Sequence, residues 1–153
     1  MTIEYLADRP EFMESLAKLQ LNEWGRYRPD ETLEMRIEKL KNRCNHRQIP
    51  TVFFATDGRN LLGSAQLVEH DMDTRMQWSP WLAGVVVSPE HRCRGIGAKL
   101  VSRVIEEAKS LEVPVIYLFT FSTEKYYARM GWNIIESTQY LGVDVTVMSR
   151  RID

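Results

Sequence analysis

Trp81-Leu-Ala-Gly-Val-Val-Val-Ser-Pro-Glu-His-Arg-Cys-Arg-Gly-Ile-Gly-Ala-Lys-Leu100 decides the fold. Its first third reads as a strand, because Val85, Val86 and Val87 are β-branched and apolar. Ser88-Pro89 stops that strand. From Ile96 the period changes. Ile96, Leu100, Val101, Val104, Ile105, Ala108 and Leu111 recur at helical spacing, with Lys99, Ser102, Arg103, Glu106, Glu107 and Lys109 on the other face. Between the two lies Arg92-Cys93-Arg94-Gly95-Ile96-Gly97-Ala98. The first turn of a helix has N–H groups without intrahelical partners, and they carry partial positive charge. Gly95 and Gly97 let a ligand come close to the backbone, and Arg92 and Arg94 bring forked donors suited to phosphate. Strand, glycine loop and helix start together make a cradle for an anion.

Two common phosphate-loop templates fail. A dinucleotide fingerprint needs a third glycine where Leu100 stands, and a P-loop needs Gly-Lys-Ser/Thr where Gly97-Ala98-Lys99-Leu100 stands. The spacing present is Arg-x-x-Gly-x-Gly. With Val-Val-Val-Ser-Pro-Glu-His-Arg-x-Arg-Gly-Ile-Gly around it, the stretch resembles the acyl-CoA pyrophosphate loop of the GNAT superfamily of N-acetyltransferases. Tyr127-Ala-Arg-Met-Gly-Trp132 resembles the same family's Tyr-x-x-x-Gly-Phe signature.

Working outward from this centre gives the rest of the chain. Ile3–Tyr5 reads as an edge strand. A helix is expected from Asp8-Arg9-Pro10 to about Glu23, with Gly25 ending it, and a second from about Thr32 to Arg43, capped by Asp30 or Thr32. Thr51–Thr56 and Leu61–Val68 read as strands joined by an Asp57-Gly58 hairpin turn. A polar loop follows from Glu69 to Pro80. Beyond the central helix come a strand from Pro114 to Thr120 and a short helix from Ser122 to Met130, capped by Ser122 and closed by Gly131. Strands at Trp132–Tyr140 and Val143–Met148 complete the order β-α-α-β-β-β-α-β-α-β-β. The expectation is one α/β (α+β) domain over residues 1–153, with a mixed central sheet flanked by about four helices. This is the fold that the resemblance implies over nearly the whole chain.

The resemblance also implies roles. Backbone N–H groups from about Cys93 to Ala98, with Arg92 and Arg94, would hold the pyrophosphate of acetyl-CoA. The backbone of Val85, Val86 and Val87 would bond to the pantetheine arm like an added strand. Tyr127 falls where the family's tyrosine stands. A phenol titrating near about 10 still holds its proton at neutral pH, so it suits a general acid toward a departing thiolate. Thr120 occupies a position that is asparagine in many members and offers one hydrogen bond. Some members place a glutamate, as base, at the start of the strand before the loop, where this sequence has Trp81. Glu69 or His70 is then the candidate base, since an amine must lose a proton before it attacks. The acceptor side is expected from Trp24, Arg26, Tyr27, Arg28 and the Glu69–Arg75 loop, Asp71 included, with Trp78 and Trp81. Carboxylates there would suit a cationic amine, and Arg26, Arg28 and Arg75 an acceptor carrying a carboxylate or phosphate. The choice between them stays open from sequence.

Composition narrows the partners. Net charge is −1, and no dense basic stripe with interleaved aromatics is present, so nucleic acid is not expected. No apolar run approaches membrane-spanning length, and Met1-Thr-Ile-Glu-Tyr5 lacks the features of a signal peptide. Two cysteines, Cys44 and Cys93, are too few for a disulfide framework and fit a reduced, cytoplasmic setting. His91-x-Cys93 and Cys44-x-His46 lack metal-site spacing, so no metal is expected. The exposed C-terminal strands could pair across a two-fold axis into a homodimer. An acetyl-CoA-dependent N-acetyltransferase acting on a small-molecule or peptide amine is the leading reading. A catalytically idle acyl-CoA-binding module and a domain using the loop for another phosphate are the alternatives.

Overall fold

A seven-stranded sheet runs through the protein and is split at one place, and that split organises everything around it. The computed structural model describes residues 1–152. β1 (Thr2–Tyr5) leads through short 3-10 turns into α1 (Met13–Trp24) and α2 (Leu33–Lys41). β2 (Thr51–Thr56), β3 (Leu61–Val68) and β4 (Trp81–Val87) follow, then α3 (Ile96–Ser110), β5 (Val115–Thr120), α4 (Glu124–Ala128), β6 (Asn133–Tyr140) and β7 (Val143–Arg151). The element order is the one expected, and the mixed α/β architecture with four α-helices holds.

The sheet order is β1-β2-β3-β4-β5-β7-β6. Every neighbouring pair is antiparallel except β4 and β5. Parallel neighbours need a crossover, and α3 supplies it. β4 and β5 share a single rung, Trp81 opposite Tyr117. Past that rung β5 pairs only with β7, from Val115↔Arg151 to Thr120↔Thr146. The β5-facing edge of β4 is therefore unpaired from Leu82 to Val87.

Helices cover both faces of the sheet. Along β2, Phe53 and Ala55 pack under α3 with Leu100, Val101 and Val104. Val52 and Phe54 face the other way and pack with Leu6, Phe12, Leu16, Ala17 and Leu40 beneath α1 and α2. Burial on both sides explains why Thr51–Thr56 shows no polar alternation. Leu100 and Val104 are fully buried, and each contributes about 1.5–3 kcal/mol by leaving water. On the α1/α2 side the apolar layer continues through Val68, Met72, Trp81, Ala83, Val145 and Val147.

Several boundaries differ from the sequence reading: β7 runs past the expected Met148 to Arg151, because Arg150 and Arg151 pair with Ile116 and Val115 of β5, and two helix starts move. Pro10 does not begin α1: it sits in a 3-10 turn over Pro10–Phe12, closed by the Phe12 N–H to Arg9 carbonyl bond of 3.1 Å, and α1 starts at Met13. Ser122 does not cap α4. That helix begins later, at Glu124, and the Thr120 hydroxyl oxygen accepts the Thr123 N–H at 3.1 Å instead. The cap of α2 is Thr32, whose Oγ1 accepts the Met35 N–H at 3.2 Å. The Asp57-Gly58 turn forms as expected, with Gly58 at φ +109° and the Asp57 carboxylate accepting from the Arg59 and Asn60 N–H groups.

Candidate active site

The split between β4 and β5 opens into a cavity of about 300 Å³. One wall is the unpaired edge of β4, through Leu82, Ala83, Gly84 and Val85; the opposite wall is the end of β5, from Leu118 to Thr120. An unpaired strand edge presents N–H and C=O groups that bind an extended ligand as a further strand would. The β4 edge is also bent. Ser64 pairs with Val86 but Gln66 with Ala83, so β4 carries one extra residue at Gly84-Val85. Gly84 has φ +59°, and a Cβ there would stand 2.7 Å from the Gln66 Nε2. Only glycine fits both the backbone and the space.

The cleft leads to the loop. Ser88 to His91 fold into a 3-10 turn, with the Ser88 hydroxyl 2.6 Å from His91 Nδ1. Cys93 at φ +64° and Gly95 at φ +78° then swing the chain into α3. Since α3 begins at Ile96, the amides of Ile96, Gly97 and Ala98 have no carbonyl one turn back to bond. Gly97 is buried, and a Cβ there would lie 2.8 Å from the Tyr126 hydroxyl and 3.6 Å from Val87. The missing side chain lets the Tyr126 hydroxyl pack against the first turn of α3, while at the exposed Gly95 a Cβ would meet nothing within 4 Å. Arg94 is exposed. Arg92 is turned back: its Nε donates to the Val87 carbonyl at 3.1 Å and its Nη2 to Glu23 of α1 at 3.1 Å. Val85 lines the cavity, Val86 is buried, and Val87 packs against the α3 core. Ile96 is buried in that same core and Ala98 is half-buried.

Tyr127 is buried, lines the cavity, and packs edge-on against Trp132 with ring centroids 6.1 Å apart. Burial, with the neighbouring Tyr126 phenol, raises its pKa well above the ordinary tyrosine value. It therefore keeps its proton throughout the neutral range. Thr120 also lines the cavity, but its hydroxyl is engaged with Thr123 at 2.5 Å as well as with the Thr123 N–H.

On the acceptor side the structure brings together Trp24, Tyr27 and Asp71, which all line the cavity. Tyr27 stacks on Phe121 at 4.2 Å and nearly parallel, closing the floor across the split. Several expected residues lie elsewhere. Glu69 is exposed just past the end of β3, and neither it nor His70 lines the cavity. Trp81 is fully buried, its indole N–H donating to the Trp78 carbonyl at 2.6 Å, because its position at the single β4–β5 rung places it in the core. Trp78 stacks on Tyr117. Arg75 is withdrawn as well: it pairs with Glu136 of β6 at 2.7 Å.

In their place the structure adds Arg36, Lys39 and Arg43, from α2 and its C-terminal extension. Their spacing of three and four residues marks one helical face, so the stripe was visible in the sequence, though not what it faced. Arg36 and Lys39 both pair with Glu31. Arg43 donates to Gln66 Oε1 at 2.7 Å. Asp71 is half-buried beside this group. Burial raises its carboxyl pKa, and Arg43, Lys39, Arg28 and Arg36 pull against that shift.

Comparisons with known proteins agree with this geometry. Residues 10–132 match the model of the acetyltransferase (GNAT) family. No curated protein sequence matches the chain. Among solved structures, an aminoglycoside 6'-N-acetyltransferase complexed with coenzyme A superposes with a TM-score of 0.78 at 18% identity, covering 100% of this chain and 98% of that one. Ribosomal-protein-alanine N-acetyltransferase from Brucella melitensis gives 0.74 at 22% identity, covering 99% of both chains. The Salmonella typhimurium protein yncA with its cofactor acetyl-CoA gives 0.73 at 18% identity, covering 99% of this chain and 94% of that one. At these identities the likeness shows the shared fold.

Proposed function

The chain belongs to the acetyltransferase (GNAT) family, and from that premise we propose that it is an acetyl-CoA-dependent N-acetyltransferase acting on a primary amine by direct attack in a ternary complex. The observation that carries this reading is the unpaired β4 edge running from Leu82 to a helix start whose first turn follows the exposed, unobstructed Gly95. A strand-like arm ending in a pyrophosphate fits both halves at once. The β4 backbone at Val85–Val87 would hold the arm, and the amides from Cys93 to Ala98, with Arg94, the phosphates. Acetyl-CoA would supply an activated thioester.

Tyr127 holds a proton on a phenol that burial keeps protonated, beside the cavity, and serves as the general acid toward sulfur. Thr120, bonded to the entry of α4, positions the segment bearing Tyr127. For the base, Asp71 is better placed than Glu69 or His70. It is the lining carboxylate outside any ion pair among the described residues, since Glu23 is held by Arg92. Its raised pKa makes it a stronger base than a solvated aspartate, and it would take the proton of the bound ammonium directly or through water. Trp24 and Tyr27 wall the acceptor and exclude solvent.

Isothermal titration of acetyl-CoA and of free CoA, followed by thiol release with an amine panel, tests this reading. Tight binding that is lost in Gly97→Trp, together with amine-dependent thiol release, supports it. Binding without turnover on any amine leaves an idle acyl-CoA module, and binding of neither ligand overturns both.

A further inference from the structure

The cavity on its acceptor side is strongly cationic. Arg26, Arg28, Arg36, Lys39 and Arg43 line it, and the carboxylates among the lining residues are Glu23 and Asp71. Glu23 is occupied by Arg92 at 3.1 Å. Arg36 and Lys39 share the single carboxylate of Glu31. Among the described residues, Arg28 and Arg43 have no ion-pair partner: Arg28 reaches only the Tyr140 hydroxyl at 3.4 Å, and Arg43 only the Gln66 amide oxygen. Arg43 is half-buried, and burial weakens its hold on its proton, with Asp71 opposing that shift and Arg36 adding to it. Gathering cations at a partly dry wall is unfavourable unless an anion joins them.

Guanidinium pairs carboxylate and phosphate through two parallel bonds, which is geometry as well as charge. A polycationic acceptor would meet five like charges along this wall and find one carboxylate outside an ion pair, Asp71. An amine that also carries an acid group would meet both signs where it needs them.

Resting on the transferase reading above, we infer that the acceptor is an anionic amine: a primary amine with a carboxylate or phosphate a few bonds from its nitrogen. Arg43 and Arg28 take the acid group, and Asp71 takes the ammonium. The chemistry is shared by a free acidic amino acid, a phosphorylated amino alcohol and the N-terminus of an acidic peptide.

The test is thiol release at saturating acetyl-CoA with L-glutamate, O-phosphoethanolamine and an Asp-Asp dipeptide against kanamycin and spermidine. At least one anionic amine is expected to exceed both polycations by about tenfold or more in kcat/KM, and to lose that margin as salt is raised. Which of the three leads tells the free acid, the phosphate and the peptide end apart. Arg28→Gln and Arg43→Gln should raise KM for the anionic amine by about tenfold while leaving acetyl-CoA affinity unchanged, and Arg43→Lys should restore part of the loss. Arg28 is exposed, so Arg28→Glu remains informative if the Arg43 variants fold poorly, and it should move preference toward kanamycin. Preferred turnover of kanamycin or spermidine by the unaltered protein overturns the inference and leaves the transferase standing. Acetyl-CoA binding with no turnover of any amine defeats the transferase reading, and this inference falls with it.

Discussion

The two walls of the cavity are made in different ways. The β4–α3 wall is built from backbone: an unpaired strand edge, two left-handed turn residues and a helix start, all within Leu82–Ala98. The α1–α2 wall is built from side chains drawn from separate segments, namely Trp24 and Tyr27, Arg36 to Arg43, and Asp71. A backbone site tolerates changed side chains so long as the chain path survives. A side-chain site can be remade by single substitutions without touching the fold. The first wall is thus where a common donor would be held, and the second is where one protein's acceptor would be chosen.

The largest expected effect is on the backbone wall. Gly97→Trp places bulk where even a Cβ would stand 2.8 Å from the Tyr126 hydroxyl. It should weaken acetyl-CoA binding by roughly 100-fold or more, with thermal unfolding measured alongside to separate this from a loss of fold, judged against an ordinary loss of one or two bound phosphate contacts. Unchanged binding would mean that this helix start is not the anion site.

Tyr127→Phe comes next, with kcat lowered by roughly 100-fold, the lower end of general-acid contributions, and acetyl-CoA affinity held within a few-fold. Calorimetry beside turnover separates the two quantities. The pH profile sharpens the assignment. With Asp71 as base, kcat/KM should climb from acid as that carboxyl loses its proton, at a pH above the ordinary aspartate range. Because the Tyr127 pKa is raised, loss of its proton should produce no alkaline fall until beyond the usual tyrosine region. Asp71→Asn should remove the acid limb if it reports this carboxyl, and an unmoved limb would return the role to another group.

A smaller effect probes the side-chain wall alone. Thr32→Ala removes the cap of α2 and should cost about 1 kcal/mol of stability, read as a lower denaturant midpoint. Since α2 carries Arg36 and Lys39, acceptor KM should rise a few-fold with acetyl-CoA affinity constant. A loss of donor binding would show that the walls are less independent than their construction suggests. Smallest of all is Arg92→Ala, which frees Glu23 and should shift donor affinity only a few-fold, because exposed ion pairs contribute about 0–1 kcal/mol.

Legibility in the sequence followed the same division. Val85–Val87, Gly95, Gly97 and the α3 periodicity lie in one contiguous stretch, so strand, loop and helix could be read together with what they would hold. The order of elements was legible for the same local reason. The acceptor wall was not, because contacts between distant segments decide it. Trp81 reads as an acceptor-side aromatic at a strand start, yet the rung with Tyr117 seals it in the core. Arg75 reads as a free cation in a polar loop, yet Glu136, far along the chain, claims it. Arg36, Lys39 and Arg43 form a legible stripe, and only the packing of α2 over the split sheet tells which way it looks. Ser122 failed for a local reason: the helix starts later than its first turn-like residues suggest.

The lone rung between Trp81 and Tyr117 behaves like the rivet of a pair of shears. On one side lie four strands, on the other three, and beyond the rivet the blades diverge, bridged by α3 and its loop and by side-chain contacts such as Tyr27 on Phe121 rather than by backbone rungs. Whatever lies between the blades becomes a structural member, supplying the rungs the sheet lacks. The mechanical stiffness of the folded chain is then a property of the loaded assembly, greatest when the gap is filled. Amide protons on the cleft-facing edge of β4 are the place to watch it, since they lack a strand partner and their exchange with solvent would slow when something occupies the open jaw.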